Sequence, residues 1–339
     1  MNIVVDAMGG DNAPVVEVEG AVDALRDGKG EEQVILVGDE PRIRAELARI
    51  GASGITGLTI VHAPEHIEMG EDPVRQVRSK KQASINVAAR LVKEGQADGL
   101  VSAGNTGGVV ASTTFQLGRI KGVRRPAIAT FLPSPSGGAI LLDVGANSDC
   151  IPQHLLQFAK MGEIYARRVL EREDPKVGLL NIGEEKTKGN KLVQATHLLL
   201  EGAPLNFVGN VEGRDIFQGA ADVVVCDGFV GNVVLKFSES VSQFITGLIR
   251  DEVGQSMRSQ MGALLMKPVF RSLGQQLDYA EYGGAPLLGL RGAVIIAHGS
   301  SSPKAIKNAI RVAGRFARKR ITELIQTELQ DDYLAQVSN

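Results

Sequence analysis

Ile3-Val4-Val5-Asp6-Ala7-Met8-Gly9-Gly10-Asp11-Asn12 joins a short apolar run to a glycine-rich turn, and a helical pattern takes over from about Val15. The unit recurs along the chain. Leu100-Val101 leads through Ser102-Ala103-Gly104-Asn105-Thr106-Gly107 into a helix. Val177-Gly178-Leu179-Leu180 leads through Asn181-Ile182-Gly183 toward a helix holding Leu192 to Leu200. Val223-Val224-Val225 leads through Asp227-Gly228-Phe229-Val230-Gly231 into a helix over 232–248, and 293–297 leads through His298-Gly299-Ser300 into one from Pro303. Apolar runs without alternation read as strands covered on both faces, and their alternation with helices reads as βαβ units. The predicted fold is α/β: a doubly wound, mostly parallel mixed sheet with helices on both faces. The sheet is mixed because 126–131 and 139–142 flank Pro133-Ser134-Pro135-Ser136-Gly137-Gly138, an antiparallel hairpin near 126–143. One large unit is expected over 1–330, with a protruding amphipathic helical element around 250–275 and a frayed end at 331–339.

Composition narrows the function classes. The 339 residues are 43% hydrophobic and 22% charged, an ordinary globular mix that excludes a disordered chain. Thirty-seven basic against 39 acidic residues leave a net charge of −2, which argues against a general nucleic-acid polycation. Aromatics are 4% and Trp is absent, so stacking platforms for single strands are scarce. The 40 glycines are about 12% of the chain, against an average near 7%. Two cysteines, Cys150 and Cys226, make neither a disulfide framework nor a four-thiolate metal site, in keeping with a reducing compartment. The first residues have no basic segment followed by a long apolar one, so no signal peptide is expected, and no apolar run is long enough to span a bilayer.

In such sheets ligands bind beyond the carboxyl ends of the strands, where glycine permits close backbone approach and the next helix offers free N–H groups to an anion. All five turns are expected along one edge, a setting for phosphate or an oxyanion. Singly, each turn is equally explained by the steric demands of a strand-to-helix connection, and its Asp, Asn and Thr residues by helix capping. No G-x-G-x-x-G follows Ile3-Val4-Val5, no P-loop occurs, and no G-x-S-x-G supplies a serine nucleophile. A dinucleotide dehydrogenase and a P-loop NTPase are therefore disfavoured. His62 and His66 flank Ala63-Pro64 without a third ligand, so no metal site is expected. Cys226 reads as a buried strand residue, with a reactive thiolate as the lesser alternative. The polar loops Gly183-Glu184-Glu185-Lys186-Thr187-Lys188-Gly189-Asn190 and Asn210-Val211-Glu212-Gly213-Arg214-Asp215 concentrate charge that serves either a site or solvation.

Three surface features remain. Lys304, Lys307, Arg311, Arg315 and Arg318 step by three or four along a predicted helix opposite Ile306, Ile310, Ala313 and Ala317. Arg75, Arg78, Lys80 and Lys81 form a second basic cluster after Glu71-Asp72-Pro73. Leu264, Leu265, Met266, Val269 and Phe270, with Lys267 and Arg271, form an apolar knuckle at which Pro268 breaks or restarts the helix.

Together these motifs resemble one family. Asp6-Ala7-Met8-Gly9-Gly10-Asp11-Asn12-Ala13-Pro14, Ser102 to Gly107, Asp143-Val144-Gly145-Ala146-Asn147 and Gly178 to Glu185 resemble the PlsX family of acyl-carrier-protein-dependent phosphate acyltransferases. So do Gly209 to Ile216, Asp227 to Asn232, Gly283-Gly284-Ala285-Pro286-Leu287-Leu288-Gly289 and His298-Gly299-Ser300-Ser301, in family order from residue 3 to about 320. Cys226 is a departure, since the family pattern has threonine before Asp-Gly-Phe. The resemblance implies that inorganic phosphate attacks an acyl-carrier-protein thioester to give acyl phosphate, which feeds a membrane glycerol-3-phosphate acyltransferase in bacterial phospholipid synthesis. It further implies a cytoplasmic, peripherally membrane-associated homodimer of isocitrate/isopropylmalate dehydrogenase-like or phosphotransacetylase-like fold; no cofactor is expected, and no metal-ligand set stands out.

Because phosphate is the nucleophile, no serine or cysteine is needed, and the site must hold two anions by positioning and electrostatics. The expected catalytic residues are Lys188 on phosphate or the oxyanion, His298 orienting phosphate or protonating the leaving sulfur, and Asn232 donating to the carbonyl oxygen. Expected substrate or phosphate contacts are Asp6, Gly9, Gly10, Asp11, Asn105, Thr106, Asp143, Asn147, Glu184, Glu185, Asn190, Asn210, Arg214, Asp227 and Ser300. The acidic carrier protein needs a basic face, expected at Arg75, Arg78 and Lys81 or at Lys304, Lys307, Arg311, Arg315 and Arg318, with a solvated helix as the rival reading. Leu264, Leu265, Met266, Val269 and Phe270 are expected at the membrane, with a buried dimer contact as the rival. Other readings of the whole chain are a coenzyme A-dependent phosphotransacetylase, a non-catalytic acyl-binding regulator and, last, a dehydrogenase.

Overall fold

The computed structural model describes residues 1–28, 32–68, 70, 72–134, 137–277 and 283–337. Its strands are β1 Asn2–Asp6, β2 Gln33–Gly38, β3 Leu58–His62, β4 Gly99–Ser102, β5 Ala127–Leu132, β6 Ala139–Leu142, β7 Val177–Leu180, β8 Phe207–Val211, β9 Val223–Val225, β10 Ala285–Leu288 and β11 Ala293–Ile296. The helices are α1 Val15–Asp27, α2 Glu40–Arg49, α3 Pro73–Ser79, α4 Ser84–Lys93, α5 Thr106–Gln116, α6 Pro152–Val169, α7 Lys191–Glu201, α8 Gly213–Gln218, α9 Gly228–Gly254, α10 Met257–Leu265, α11 Lys267–Leu277, α12 Pro303–Arg318 and α13 Ile321–Val337.

The strands form one sheet in the order β3-β2-β1-β4-β11-β10-β5-β6-β9-β7-β8. β3, β2, β1, β4 and β11 are mutually parallel. β6, β9, β7 and β8 are likewise parallel to one another. Between the halves, β10 is antiparallel to β11 and to β5, and β5 is antiparallel to β6. The doubly wound mixed sheet and the 126–143 hairpin stand as read, although Pro135 and Ser136 of the turn lie outside the described residues. One expectation is corrected. Three successive antiparallel pairings reverse the second half, so the turns after β7 and β9 open on the opposite edge from those after β1, β4 and β11.

The all-apolar strands are buried because each face carries a helical layer. In the first half, one layer packs Ile3, Val5 and Val101 against Val18 and Val22 of α1 and Ile306 and Ile310 of α12. The other packs Val4, Leu100 and Val294 against Ile85 and Ala88 of α4 and Val109 of α5. In the second half, Ile140, Leu179 and Val223 pack under Leu155, Phe158 and Ile164 of α6 and Ile325 of α13.

Helix boundaries follow local chemistry. Asp227 accepts the Phe229 and Val230 N–H groups, so α9 starts before the expected Asn232. Pro268 occupies the first turn of α11, where its missing N–H costs nothing, and restarts the helix. α10 buries no residue, and α9 only Gly228 and Gly231, so this segment stands off the core. α13 remains helical to Val337. Its side chains from Gln330 onward and residues 338–339, where fraying is expected, lie outside the described residues.

Candidate active site

A cavity of about 1150 Å³ crosses the face of β5 and β10 and is walled by α9. Its polar lining comes from both halves. Asp11 follows β1, Asn105 and Thr106 follow β4, and His298 follows β11, whereas Asn232 stands on α9 after β9. Five residues expected at the site from four separate turns are thus brought onto one cavity. Away from them the wall is mostly apolar, with Ile128, Phe131, Leu132, Phe217, Val241 and Ile245, although α9 also brings Lys236, Glu239 and Arg250 to it.

The first-half turns approach each other because they lack side chains. A Cβ at Gly9 would stand 2.8 Å from the Gly104 backbone nitrogen and 2.8 Å from Asp6 Oδ2. Asp6 Oδ2 accepts the Ser102 hydroxyl (2.8 Å), and Ser102 Oγ accepts the Gly104 N–H (3.1 Å). Asp6 is buried, and desolvation holds its carboxyl above the usual range. Its expected place as a phosphate contact is corrected: it braces the two turns from beneath.

Asp143 is corrected in the same way. It is 0% exposed. Oδ1 accepts the N–H groups of Ile128, Gly145 and Ala146, and Oδ2 accepts the Asn147 N–H (2.7 Å) and side-chain amide (2.9 Å). Burial raises its pKa against the pull of these donors. Asn147 is spent on Asp143 and the Pro126 carbonyl. α9 is pressed onto this node: a Cβ at Gly231 would meet the Asp143 carbonyl oxygen at 1.9 Å. Gly145, at φ +132°, leaves the space in which the Asn232 amide lies, about 3.7 Å from a Cβ there. The node therefore sets where Asn232 stands, and Asp227 serves as the cap of its helix.

His298 carries a defined tautomer. The Ser300 N–H donates to its Nδ1 (3.2 Å), so that nitrogen is the acceptor, and the Ser300 hydroxyl lies 2.8 Å from it. The neutral ring then bears its proton on Nε2, a donor. Ser300 orients the histidine.

The second polar group does not reach the cavity. Glu184, Glu185, Lys188 and Asn190 lie in the connection after β7, Asn210 at the end of β8 and Arg214 in α8, all at the outer end of the sheet, and none lines it. Asn210 donates to the Glu185 carbonyl (3.0 Å), Asn181 to that of Lys188 (3.2 Å), and Gln194 to those of Thr187 and Gly189. His197, absent from the sequence reading, is buried against Asn210 Oδ1 (3.0 Å). Asn190 caps α7, Lys186 pairs with Glu201, and Arg214 lies among Glu184, Glu212 and Asp215.

The basic stripe is partly neutralised, with Lys307, Arg311 and Arg318 paired to acids and Arg315 exposed. α12 packs on α1, so Lys307 reaches Asp27 at 2.8 Å, Arg311 reaches Asp27 at 3.7 Å, and Arg318 reaches Glu32 at 2.8 Å. On α3, in contrast, Arg75, Arg78 and Lys81 at its end are exposed, and Arg78 lies 5.1 Å over the Phe115 ring. Asp72 caps this helix, and Glu71 lies outside the described residues. Pro73 of α3 abuts the cavity-lining Gly107. The knuckle is exposed at Leu264, Leu265, Met266 and Val269, and Phe270 is half-buried. Among the described residues no helix is long and apolar enough to cross a membrane.

His62 Nδ1 accepts the Glu40 N–H. Cys226 is buried, with its thiol pushed well up by desolvation, as a strand-end residue rather than a nucleophile. Glu17 was missed altogether. It is buried, and its pKa is raised to about 7 by desolvation. Its signal was positional, since it shares the stripe of Ala21 and Ala24 at spacings of four and seven.

The model of the fatty acid synthesis protein family matches residues 1–324. The chain belongs to that family. A phosphate acyltransferase from Heliobacterium modesticaldum is 54% identical over 97% of this chain and 98% of its own length. One from Geotalea uraniireducens is 50% identical over 98% and 95%. Among solved structures, the EutD phosphotransacetylase from Staphylococcus aureus superposes with a TM-score of 0.60 at 18% identity over 94% of each chain. A phosphotransacetylase from Streptococcus pyogenes gives 0.60 at 19% over 94% of each. At that identity the likeness concerns the fold of this family member.

Proposed function

We propose that this chain is a phosphate acyltransferase that takes its acyl group from an acyl carrier protein thioester and hands it to inorganic phosphate. The observation that carries this reading is the single cavity on which Asp11, Asn105, Thr106, His298 and Asn232 meet, continued by an apolar wall. Its volume exceeds the roughly 300–1,000 Å³ that accommodates a drug-sized ligand, leaving room for a long acyl chain beside phosphate. Relatives at 50–54% identity that are themselves named phosphate acyltransferases support it.

A phosphate oxygen attacks the thioester carbonyl carbon. A C–O bond forms, the C–S bond breaks, and the pantetheine thiolate leaves. Phosphate sits at the end lined by Asp11, the Gly104–Gly107 turn and His298, where the helices α5 and α12 begin. His298 donates from Nε2 to phosphate. That tautomer favours orienting phosphate over protonating sulfur, which would require the imidazolium form. Asn232 donates to the developing oxyanion from the opposite wall. Lys188 contributes only if the 183–190 loop moves toward Asn232.

The carrier protein docks on Arg75, Arg78 and Lys81, beside the Gly107 end of the cavity. The α9 stripe Phe229, Val233, Phe237, Phe244 and Leu248 pairs with a second copy of the chain, and the α10–α11 knuckle rests on the membrane, where acyl phosphate is delivered.

The test is phosphate-dependent consumption of palmitoyl-acyl carrier protein by purified protein, with acyl phosphate trapped as hydroxamate and palmitoyl-coenzyme A in parallel. Turnover with the carrier substrate supports the reading, and preference for coenzyme A overturns its carrier half. Absence of turnover with both overturns the whole. Lys188→Ala in the same assay keeps most of its turnover if the loop stays where it lies.

A further inference from the structure

Glu17 stands in the first turn of α1, directly behind the Gly9-Gly10-Asp11 turn. It is 1% exposed. A Cβ at Gly10 would lie 2.2 Å from its Oε1, so only glycine admits the carboxyl so close to the main chain. The Gly10 N–H and its own N–H act on the carboxyl. Oε2 has no hydrogen-bond partner. Among the described residues four buried side-chain polar atoms lack one, and a second, Ser301 Oγ, lies in the adjoining β11–α12 loop. That loop and the Gly10 turn are joined, since the Asp11 N–H donates to the Gly299 carbonyl at 2.9 Å. Asp11, His298 and Gly299 all line the cavity.

We propose that Glu17 is a positioning residue for phosphate: protonated, it holds the Gly10 backbone beneath the phosphate end of the cavity, and ionised, it sets a negative charge under that turn and weakens phosphate binding. The inference rests on the reading that phosphate occupies the Asp11–His298 end. A buried carboxylate with one oxygen unpartnered is costly, and the neutral acid much less so. Two acids reinforce this: Asp6 from β1 and Asp11 from the turn both oppose its ionisation. α12, packed on α1, carries the cations Lys304 and Lys307, the latter held by Asp27, and the loop before it carries His298; any pull from these is in the opposite sense. On the side of α2, Arg49 is engaged by Glu19 and Glu46.

The test varies inorganic phosphate from pH 6 to 8.5, at saturating palmitoyl-acyl carrier protein, for wild type, Glu17→Gln and Glu17→Ala. Phosphate's own ionisation is common to all three, so ratios of KM are compared. Relative to Glu17→Gln, the wild-type KM for phosphate rises about fivefold across this range, the effect of one like charge nearby in a partly shielded medium. The effect on KM exceeds that on kcat. Glu17→Ala, which loses the hold on Gly10, has a raised KM at every pH, and Glu17→Gln restores it. A KM ratio flat with pH, with changes confined to thermal stability, overturns the proposal. Should wild type show no phosphate-dependent turnover, the proposed reaction fails instead. Calorimetric binding of inorganic phosphate to the same three proteins then decides the role of Glu17 by the same pH comparison.

Discussion

Replacing Asp143 by alanine removes one acceptor group and orphans several donors together. Its carboxylate collects five hydrogen bonds, from Ile128, Gly145, Ala146 and Asn147 backbone N–H groups and the Asn147 amide. Asn147 Nδ2 keeps the Pro126 carbonyl at 2.7 Å, and the Gly145 and Ala146 groups are part-buried. The Ile128 and Asn147 backbone N–H groups remain buried without a partner, at about 1–3 kcal/mol each. Relief from desolvating a carboxylate offsets some of this, so the net loss is about 3–4 kcal/mol. Asp143→Asn is a sharper probe. Its oxygen can keep the three Oδ1 partners, but its amide then faces the Asn147 N–H, donor against donor, and about 2 kcal/mol is lost. Urea unfolding at pH 7, followed by circular dichroism, measures both. Turnover falls more than affinity for phosphate, because Gly145 and the start of α9 shift and carry Asn232 off the carbonyl. An Asp143→Ala loss below about 1 kcal/mol would refute the assignment of this carboxylate as the node joining β6 to α9.

Four further outcomes are expected. Gly231→Ala, whose Cβ would meet the Asp143 carbonyl oxygen at 1.9 Å, unfolds or loses several kcal/mol, whereas Gly247→Ala on the same helix, with nothing within 4 Å, gains about 0.5–1 kcal/mol in thermal unfolding. Glu17, raised from 4.5 to about 7, keeps its proton in the folded chain and loses it in the unfolded one, so its stability is complete below pH 4.5 and about 3 kcal/mol of it is gone by pH 7. Glu17→Gln flattens that segment of the stability profile, measured by urea midpoints, and an unchanged profile speaks against the raised value. Arg75→Glu with Arg78→Glu raises KM for the carrier substrate and lessens its dependence on salt, while Arg311→Glu, already balanced by Asp27, does so weakly; equal effects from both faces would reverse that choice. If the proposed membrane contact and dimer hold, Leu265→Glu, at a side chain 84% exposed, abolishes liposome flotation while leaving the sedimentation of the proposed dimer intact; loss of that dimer makes the knuckle a subunit contact.

How far the sequence could be read depended on the range of the forces involved. The strand-turn-helix units are local: Val223-Val224-Val225 is apolar over its whole length, and Asp227 caps the helix that follows. Both facts are written in adjacent residues. The direction of the second half is not. It is decided by three antiparallel pairings at the middle of the sheet, two of them involving β10, whose Leu287 and Leu288 pair with Ile128 and Ala127 of β5 from more than 150 positions further along the chain. Placing all the glycine turns on one edge failed for that reason. Lys188 and Arg214 miss the cavity because they follow β7 and β8, the last two strands of the sheet, whereas Asn232 follows β9 nearer its middle and reaches it.

The site residues divide along the same line. Asp11, Asn105, Thr106, Asn232 and His298 each follow the carboxyl end of a strand and do line the cavity, so proximity to a strand end was an adequate guide to position. It was a poor guide to role. Asp6 and Asp143 stand in equivalent places in their turns, yet both are buried and satisfied by hydroxyl and N–H donors from neighbouring strands. A carboxylate facing phosphate would repel it, whereas one facing inward gathers N–H groups and fixes the turns that present neutral donors outward. Asp6 and Asp143 therefore serve behind the main chain rather than in front of it, whereas Asp11 is left on the cavity itself. Glu17, the least visible of them in the sequence, follows the same arrangement: it acts on the ligand through Gly10 rather than by touching it.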